Sequence, residues 1–220
     1  MTAYTIRSYT PSDRSGVRVI YGDDEFARPD LLRRYPRMAG YLADELSYFT
    51  GYEPESLFVA EAQAQIVGAL LGAVDTLHCA QIYKQRIRPM LMRRCLSGAY
   101  GWPGWLPAVL RTDLAERHTQ APEVDLGRFS AHLHIGVLPA WRRQGIGTAL
   151  IAQFSSYLAG RGVPGWHLFV SSYHPLGLAF YQELGLELLG QFDWRLYDGR
   201  QWLTVTERIF GLQLGKGGTE

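Results

Sequence analysis

Residues able to do chemistry concentrate at one join in this chain: Val137-Leu138-Pro139-Ala140-Trp141-Arg142-Arg143-Gln144-Gly145-Ile146-Gly147-Thr148. Gly145 and Gly147 remove the side chains that would keep a ligand off the backbone. A helix opening here would present amide N–H groups with no intrahelical partner, a ready seat for an anion. Arg142 and Arg143 add positive charge beside it. The chemistry that suits such a join is main-chain binding of a di- or polyphosphate without a metal, although a plain structural turn can carry the same glycine pair. The string is not a Walker loop, since no Gly-Lys-Ser/Thr opens the helix. It is not the dinucleotide fingerprint, since the third glycine fails at Leu150. Titratable groups flank the join. His132 and His134 stand two apart, on one side of any strand that holds them. Such a pair can relay protons near neutral pH or simply bond to backbone.

These residues need particular elements to position them. The β-rich run 133–137 enters the join, and the apolar run 149–158 leaves it with helical character. Downstream, His167-Leu168-Phe169-Val170 reads as a short strand. The run 176–184 after His174-Pro175 reads as a helix stopped by Gly185. Upstream, 4–9 alternates like a first strand, and Thr10-Pro11-Ser12-Asp13 signals a helix start with Thr10 or Ser12 as cap. The segment 28–49 holds at least one more helix, and 57–62 with 65–75 forms a strand pair. The long stretch 77–129 is too much for an unstructured loop. Within it, 82–95 and 108–118 read as helical, and 98–107 as an aromatic turn with Trp102 and Trp105. This insert either packs as an accessory layer or forms a wall of the site or a dimer contact. Asp198-Gly199 between two alternating runs signals a final hairpin.

The join resembles motif A of the GCN5-related N-acetyltransferases (GNAT), V-x-P-x-x-[QR]-x-x-G-x-[GA], with Val137, Pro139, Arg142, Gly145 and Gly147 in place. Val170, Phe180, Tyr181, Gly185 and Leu186 fit the family's motif B, while His174 stands where Asn is usual and Gly177 where Ala is usual. The resemblance covers roughly 131–189. It implies an α/β (α+β) GNAT fold: a mixed, mostly antiparallel twisted sheet of about seven strands flanked by helices, with a helical insert between strands 3 and 4. It implies acetyl-CoA as cosubstrate, its pyrophosphate held by the amides from Arg143 to Thr148, with Ile135, Gly136, Val137, Arg142, Gln144 and His174 also in contact. The activity implied is acetyl transfer to an amine of a small molecule or peptide. Tyr181 would be the acid for the leaving sulfur. The glutamate that many members place on the fifth strand is replaced by Phe169, so the base is sought in His134, His132 or Asp75. The His pair resembles the His-x-His of arylalkylamine N-acetyltransferases, one residue nearer the glycines. Asp75 can equally be a strand-end cap. The segments 52–59, 68–76 and 131–135 further resemble the acetyltransferase-like domain of O-GlcNAcases and its free-standing bacterial relatives. Some members of that group are non-catalytic, so an acyl-CoA-binding or protein-interaction module is the rival reading.

Composition agrees with one domain over 1–213 and a disordered tail over 214–220. The chain has 220 residues, 47% of them hydrophobic, and a net charge of +1. So weak a field favours neither nucleic acid nor an anionic membrane. Cys79 and Cys95 have no metal-like or redox-like spacing, no metal is expected, and free thiols suit the cytoplasm. Asp23, Asp24, Glu45 and Glu53 could attract a cationic acceptor or simply be solvated. A homodimer is compatible with the apolar hairpin at the end.

Overall fold

The computed structural model describes residues 3–22, 36, 38–101, 104, 106–116, 118–198 and 200–215. Its strands are β1 (Thr5–Ser8), β2 (Leu57–Ala62), β3 (Gln65–Ala73), β4 (Ala131–Val137), β5 (Gly165–Ser171), β6 (Glu187–Tyr197) and β7 (Trp202–Gln213). They form one sheet in the order β1-β2-β3-β4-β5-β7-β6. Every neighbouring pair is antiparallel except β4 with β5. β2 and β3 are joined through Gln63 and Ala64, both left-handed, as the twist of a two-residue hairpin requires. The expected runs 186–189 and 191–197 are one strand, β6, with a register shift between Leu188 and Gly190.

The helices are α1 (Arg14–Gly22), α2 (Met38–Glu45), α3 (Ser47–Gly51), α4 (Thr76–Ile82), α5 (Arg88–Leu96), α6 (Leu106–Glu116), α7 (Ile146–Ala159) and α8 (Pro175–Glu183). Strand alternation divides the core. Leu133, Trp166, Leu168 and Phe210 face α7 and α8, packing with Leu150, Phe154 and Tyr181. Leu71, Ala73 and Val205 face the other way, onto Val17, Ile20 and Tyr21 of α1 and Tyr48 and Phe49 of α3.

The insert between β3 and β4 is helical, as expected, but starts earlier. Asp75 accepts from the Leu77 and His78 amides (2.8 and 3.0 Å) and so caps α4 at Thr76. A π-helical turn, Tyr83–Ile87, leads into α5. Ile87, Leu91, Tyr100 and Val109 bury into the core on the α1 side. Buried Asp44 of α2 ties the insert down, accepting from the Tyr100 hydroxyl (2.8 Å) and pairing with Arg94 (2.9 Å). The final hairpin is present; Asp198 accepts from the Arg200 and Gln201 amides. Gly199, Asp23, Asp24, Trp102, Trp105 and the tail residues 216–220 lie outside the described residues, as does 28–35 of the expected second helix.

Candidate active site

The parallel pair supplies the opening. β4 and β5 are in register only at Ala131–Trp166 and His132–His167. Beyond those pairs β4 stays bonded to β3 as far as Val137, and β5 stays bonded to β7 as far as Ser171. The two strands therefore diverge while each keeps its outer partner. A cleft of about 960 Å³ fills the gap, lined by β4, β5, the 139–148 join, α8, and parts of α1 and α2. That volume lies within the range of small-molecule and cofactor sites.

The join forms the mouth of this cleft. Pro139–Trp141 makes a 3₁₀ turn, after which Arg143 (φ 60°) and Gly145 (φ 83°) take left-handed conformations. Such geometry comes readily to glycine, but in arginine it is uncommon and costs free energy. Arg142 braces the turn by donating from Nε to the Val137 carbonyl (3.0 Å), and Gln144 by donating to the Ala140 carbonyl (3.2 Å). Ala149 is the first amide to bond back along α7, to the Gly145 carbonyl (3.0 Å). The Ile146, Gly147 and Thr148 amides are thus the orphan donors of a 14-residue helix. Gly147 also lets α8 approach: a Cβ there would stand 3.0 Å from the Phe180 ring. Ile135, Gly136, Val137, Arg142, Arg143, Gly145, Ile146, Gly147, Thr148 and His174 all line the cleft; Gln144 does not.

The candidate proton-transfer groups come from both sheet faces. Tyr181 projects from α8 into the wall, nearly buried, and loss of hydration raises its phenol pKa above the ordinary 10. His134 stands on the opposite face, open to the cleft but ringed by protein elsewhere, with Phe49 edge-on (5.4 Å between centroids). That enclosure disfavours the imidazolium and lowers its pKa to about 4. His132 lies behind it, 6.0 Å away between rings, and is not part of the lining. The Thr76 hydroxyl donates to the Ser130 carbonyl (2.8 Å), so it must accept from His132 Nδ1 (2.9 Å). The network therefore assigns His132 as the neutral Nδ1–H tautomer, and burial pushes its pKa down to about 3. Asp75 lies outside the cleft lining, at the start of α4.

Residues 114–187 match the family described as Acetyltransferase (GNAT) domain. That segment, from the insert through β4, β5 and α8, is similar to a GNAT acetyltransferase domain. The whole GNAT fold is matched by the crystal structure of SsHAT, at 26% identity over 97% of this chain and 99% of that one, TM-score 0.72. The ribosomal-protein-S18-alanine N-acetyltransferase from Escherichia coli shares the fold at 18% identity, covering 99% and 98% of the two chains, TM-score 0.53. An N-acetyltransferase from Staphylococcus aureus Mu50 shares it at 12%, covering 97% and 99%, TM-score 0.58.

Tyr21 and Glu207 line the cleft but escape the sequence motifs, whereas Phe169 was reached through them. Tyr21 of α1 directs its hydroxyl at the Ala69 and His134 carbonyls (3.1 and 3.0 Å), joining β3 to β4 beside the gap. Its signal was only an apolar-facing position near a helix end. Phe169 stands 52% exposed in the cleft. Glu207 enters from β7, and only the register Ser171–Glu207 reveals its place beside β5. Glu53, by contrast, is structural: it accepts from the Tyr48 hydroxyl (2.6 Å) and the Val74 amide (2.9 Å). Among the described residues no group of three or more His, Cys, Asp or Glu could hold a metal ion, and no helix is long and apolar enough to cross a membrane.

Proposed function

We propose that the chain is an N-acetyltransferase that moves the acetyl group of acetyl-CoA to an amine by direct attack. The observation that carries this is a helix start with orphan amides at the mouth of a gap between two parallel strands, with Tyr181 and His134 on the gap's two walls. The residues suit the cosubstrate. Orphan amides of Ile146, Gly147 and Thr148, with Arg142 and Arg143, match a pyrophosphate. Among the described residues the inner edge of β4 past His132 has no strand partner, which suits hydrogen bonding to an extended chain of amides. The thioester supplies an activated acetyl group. His134, neutral at pH 7, takes the proton the attacking nitrogen must lose, and Tyr181 gives its phenolic proton to the departing sulfur. A new N–C bond forms as the C–S bond breaks, and His134 passes its proton to solvent in the cleft. His132 orients its neighbour, and His174 lines the cofactor side. Asp75 serves the fold as a cap.

We also assign the chain to the branch resembling the acetyltransferase-like domain of O-GlcNAcases, on the segments 52–59, 68–76 and 131–135. We place it in the cytoplasm, where the Cys79 and Cys95 thiols stay reduced.

Calorimetric titration with acetyl-CoA tests the reading, alongside Gly147→Trp, in which the indole must displace Phe180 and fill the mouth. Wild type is expected to bind, and the variant to bind at least about tenfold more weakly with its thermal transition retained. Equal binding by the two would remove the phosphates from this turn. No turnover of any amine by a protein that binds acetyl-CoA would leave the non-catalytic acyl-CoA-binding module as the reading.

A further inference from the structure

The net charge of +1 hides a local excess. From Thr76 to Leu96 the chain carries Lys84, Arg86, Arg88, Arg93 and Arg94 and no Asp or Glu. Arg94 is held by Asp44 (2.9 Å). The other four are exposed, and among the described residues none of them enters an ion pair. Two large apolar side chains share their surface. Leu96 is 89% exposed, more than any other large apolar residue described, and Met92 is 60% exposed. Helical spacing puts Arg88, Met92 and Leu96 in one row along α5, with Arg93 beside it. Ile87 and Leu91 point the other way, into the core. Past Leu96 come Ser97, Gly98 and Ala99, small and exposed, so no bulky side chain of that turn stands over the row. Leu91 and the Arg94–Asp44 pair pin α5 from behind, and its outward face is therefore a fixed surface.

Unpaired cations around exposed aliphatic side chains suit a partner that is both anionic and apolar. Nucleic acid would use the charges but not Met92 and Leu96. Nor does the segment offer a platform for bases, since Tyr83, its one Tyr, Trp or Phe, is half-buried and bonded to Glu45. An anionic bilayer takes both features. Its phosphates meet the guanidinium and ammonium groups, while the apolar side chains between them reach toward the acyl chains. The arginine stems add apolar surface and let their charged ends stay among the headgroups. We propose that the outward face of α5 docks the chain on an anionic membrane surface, as a peripheral and reversible contact. Two aliphatic side chains are too little apolar surface for a neutral bilayer to hold the chain, so the attachment requires anionic lipid.

The test is flotation of the whole chain with liposomes of phosphatidylcholine alone and of equal parts phosphatidylcholine and phosphatidylglycerol. It is repeated with Met92→Ser plus Leu96→Ser, and with Arg88→Gln plus Arg93→Gln. All four side chains are exposed, so both double variants are expected to keep the wild-type thermal transition. Wild type is expected to partition onto the anionic liposomes at least about tenfold more strongly than onto the neutral ones, with a preference that fades as salt rises. Each double variant is expected to lose severalfold in that partition, the serine pair through lost insertion and the glutamine pair through lost charge. Binding to neither liposome, equal binding to both, or binding of the serine pair equal to wild type would overturn the proposal. So would capture of polyglutamate or single-stranded RNA as tightly as the anionic liposomes, by wild type and the serine pair alike, which would make the face a seat for an acidic polymer.

Discussion

At the scale of single residues, the proposed chemistry rests on two side chains whose surroundings fix their protonation states at neutral pH, at a cost in intrinsic acid or base strength. Burial holds the Tyr181 phenol protonated beyond its ordinary range, so it remains a donor at every pH at which the fold is tested. Protein packed around the sides of His134 away from the cleft likewise favours its neutral form, less strongly than full burial would because the ring faces the open cleft. Tyr181→Phe preserves the ring that packs near Phe210 (6.1 Å between centroids) and removes only the proton. It is expected to lower kcat by about 10²–10⁴-fold, the range for loss of a general acid, while acetyl-CoA affinity stays near that of wild type. Steady-state kinetics across pH checks this, and an unchanged kcat at every pH would take the acid role from Tyr181. Legibility at this scale followed sequence distance. The join from Val137 to Thr148 announces itself because its parts are contiguous. Glu207 is silent because its position depends on strand register across β5 and β7, which local sequence does not fix. Asp75 was ambiguous because a carboxylate at a strand end serves a helix amide as readily as a substrate, and here the Leu77 and His78 amides hold it.

At the scale of elements, apolar periodicity shows where strands and helices lie, but not what the long insert is for. The expected helical content is there, and the open alternatives were a packed layer or a wall of the site. None of the insert's described residues lines the cleft. It packs behind α2 and reaches the site through Tyr83, which bonds Glu45. The joint between α2 and α5 is the Asp44 cluster; its insert partners, Arg94 and Tyr100, lie fifty residues or more away in sequence, and Arg18 of α1 adds a longer ion pair (3.9 Å). No local pattern marks such a joint. Asp44 is almost fully buried, so truncating it strands the buried Tyr100 phenol and removes the tie between two elements, while half-exposed Arg94 turns to solvent. Asp44→Ala is expected to cost about 1–3 kcal/mol in urea unfolding, with hydrogen exchange rising first in 76–96. Uniform exchange across the sheet instead would mean that the cluster stabilises the whole fold and does not specifically dock the insert.

At the scale of the whole molecule, the sheet of the described residues opens where β4 and β5 part, and the last paired position before the gap is His132 with His167. His167 donates from Nδ1 to the Phe129 carbonyl (2.9 Å), and its pKa is also lowered by burial. The hinge of the cleft is therefore closed by two neutral imidazoles, and the fold depends on their staying neutral. The unfolded chain takes up protons near pH 6.5, whereas folded His132 resists until about pH 3. The unfolded state thus binds more protons throughout that interval, so stability is complete above about pH 6.5 and declines as pH falls below it. From pH 6.5 to 4.5, His132 alone would cost up to about 2–3 kcal/mol at 1.36 kcal/mol per unit. His134, facing the open cleft, adds less. Over the same interval the Asp13–Arg7 pair stays intact, because that carboxyl is held down to about 2. Melting temperatures at pH 7.5, 5.5 and 4.5 should fall steeply for wild type and more gently for His132→Asn, whose amide can still donate to Thr76. The decisive quantity is the slope, not the neutral-pH value, since the variant loses packing whatever the pH. Parallel slopes would mean that acid opens the molecule elsewhere, and that the paired histidines at the root of the cleft are spectators of its stability.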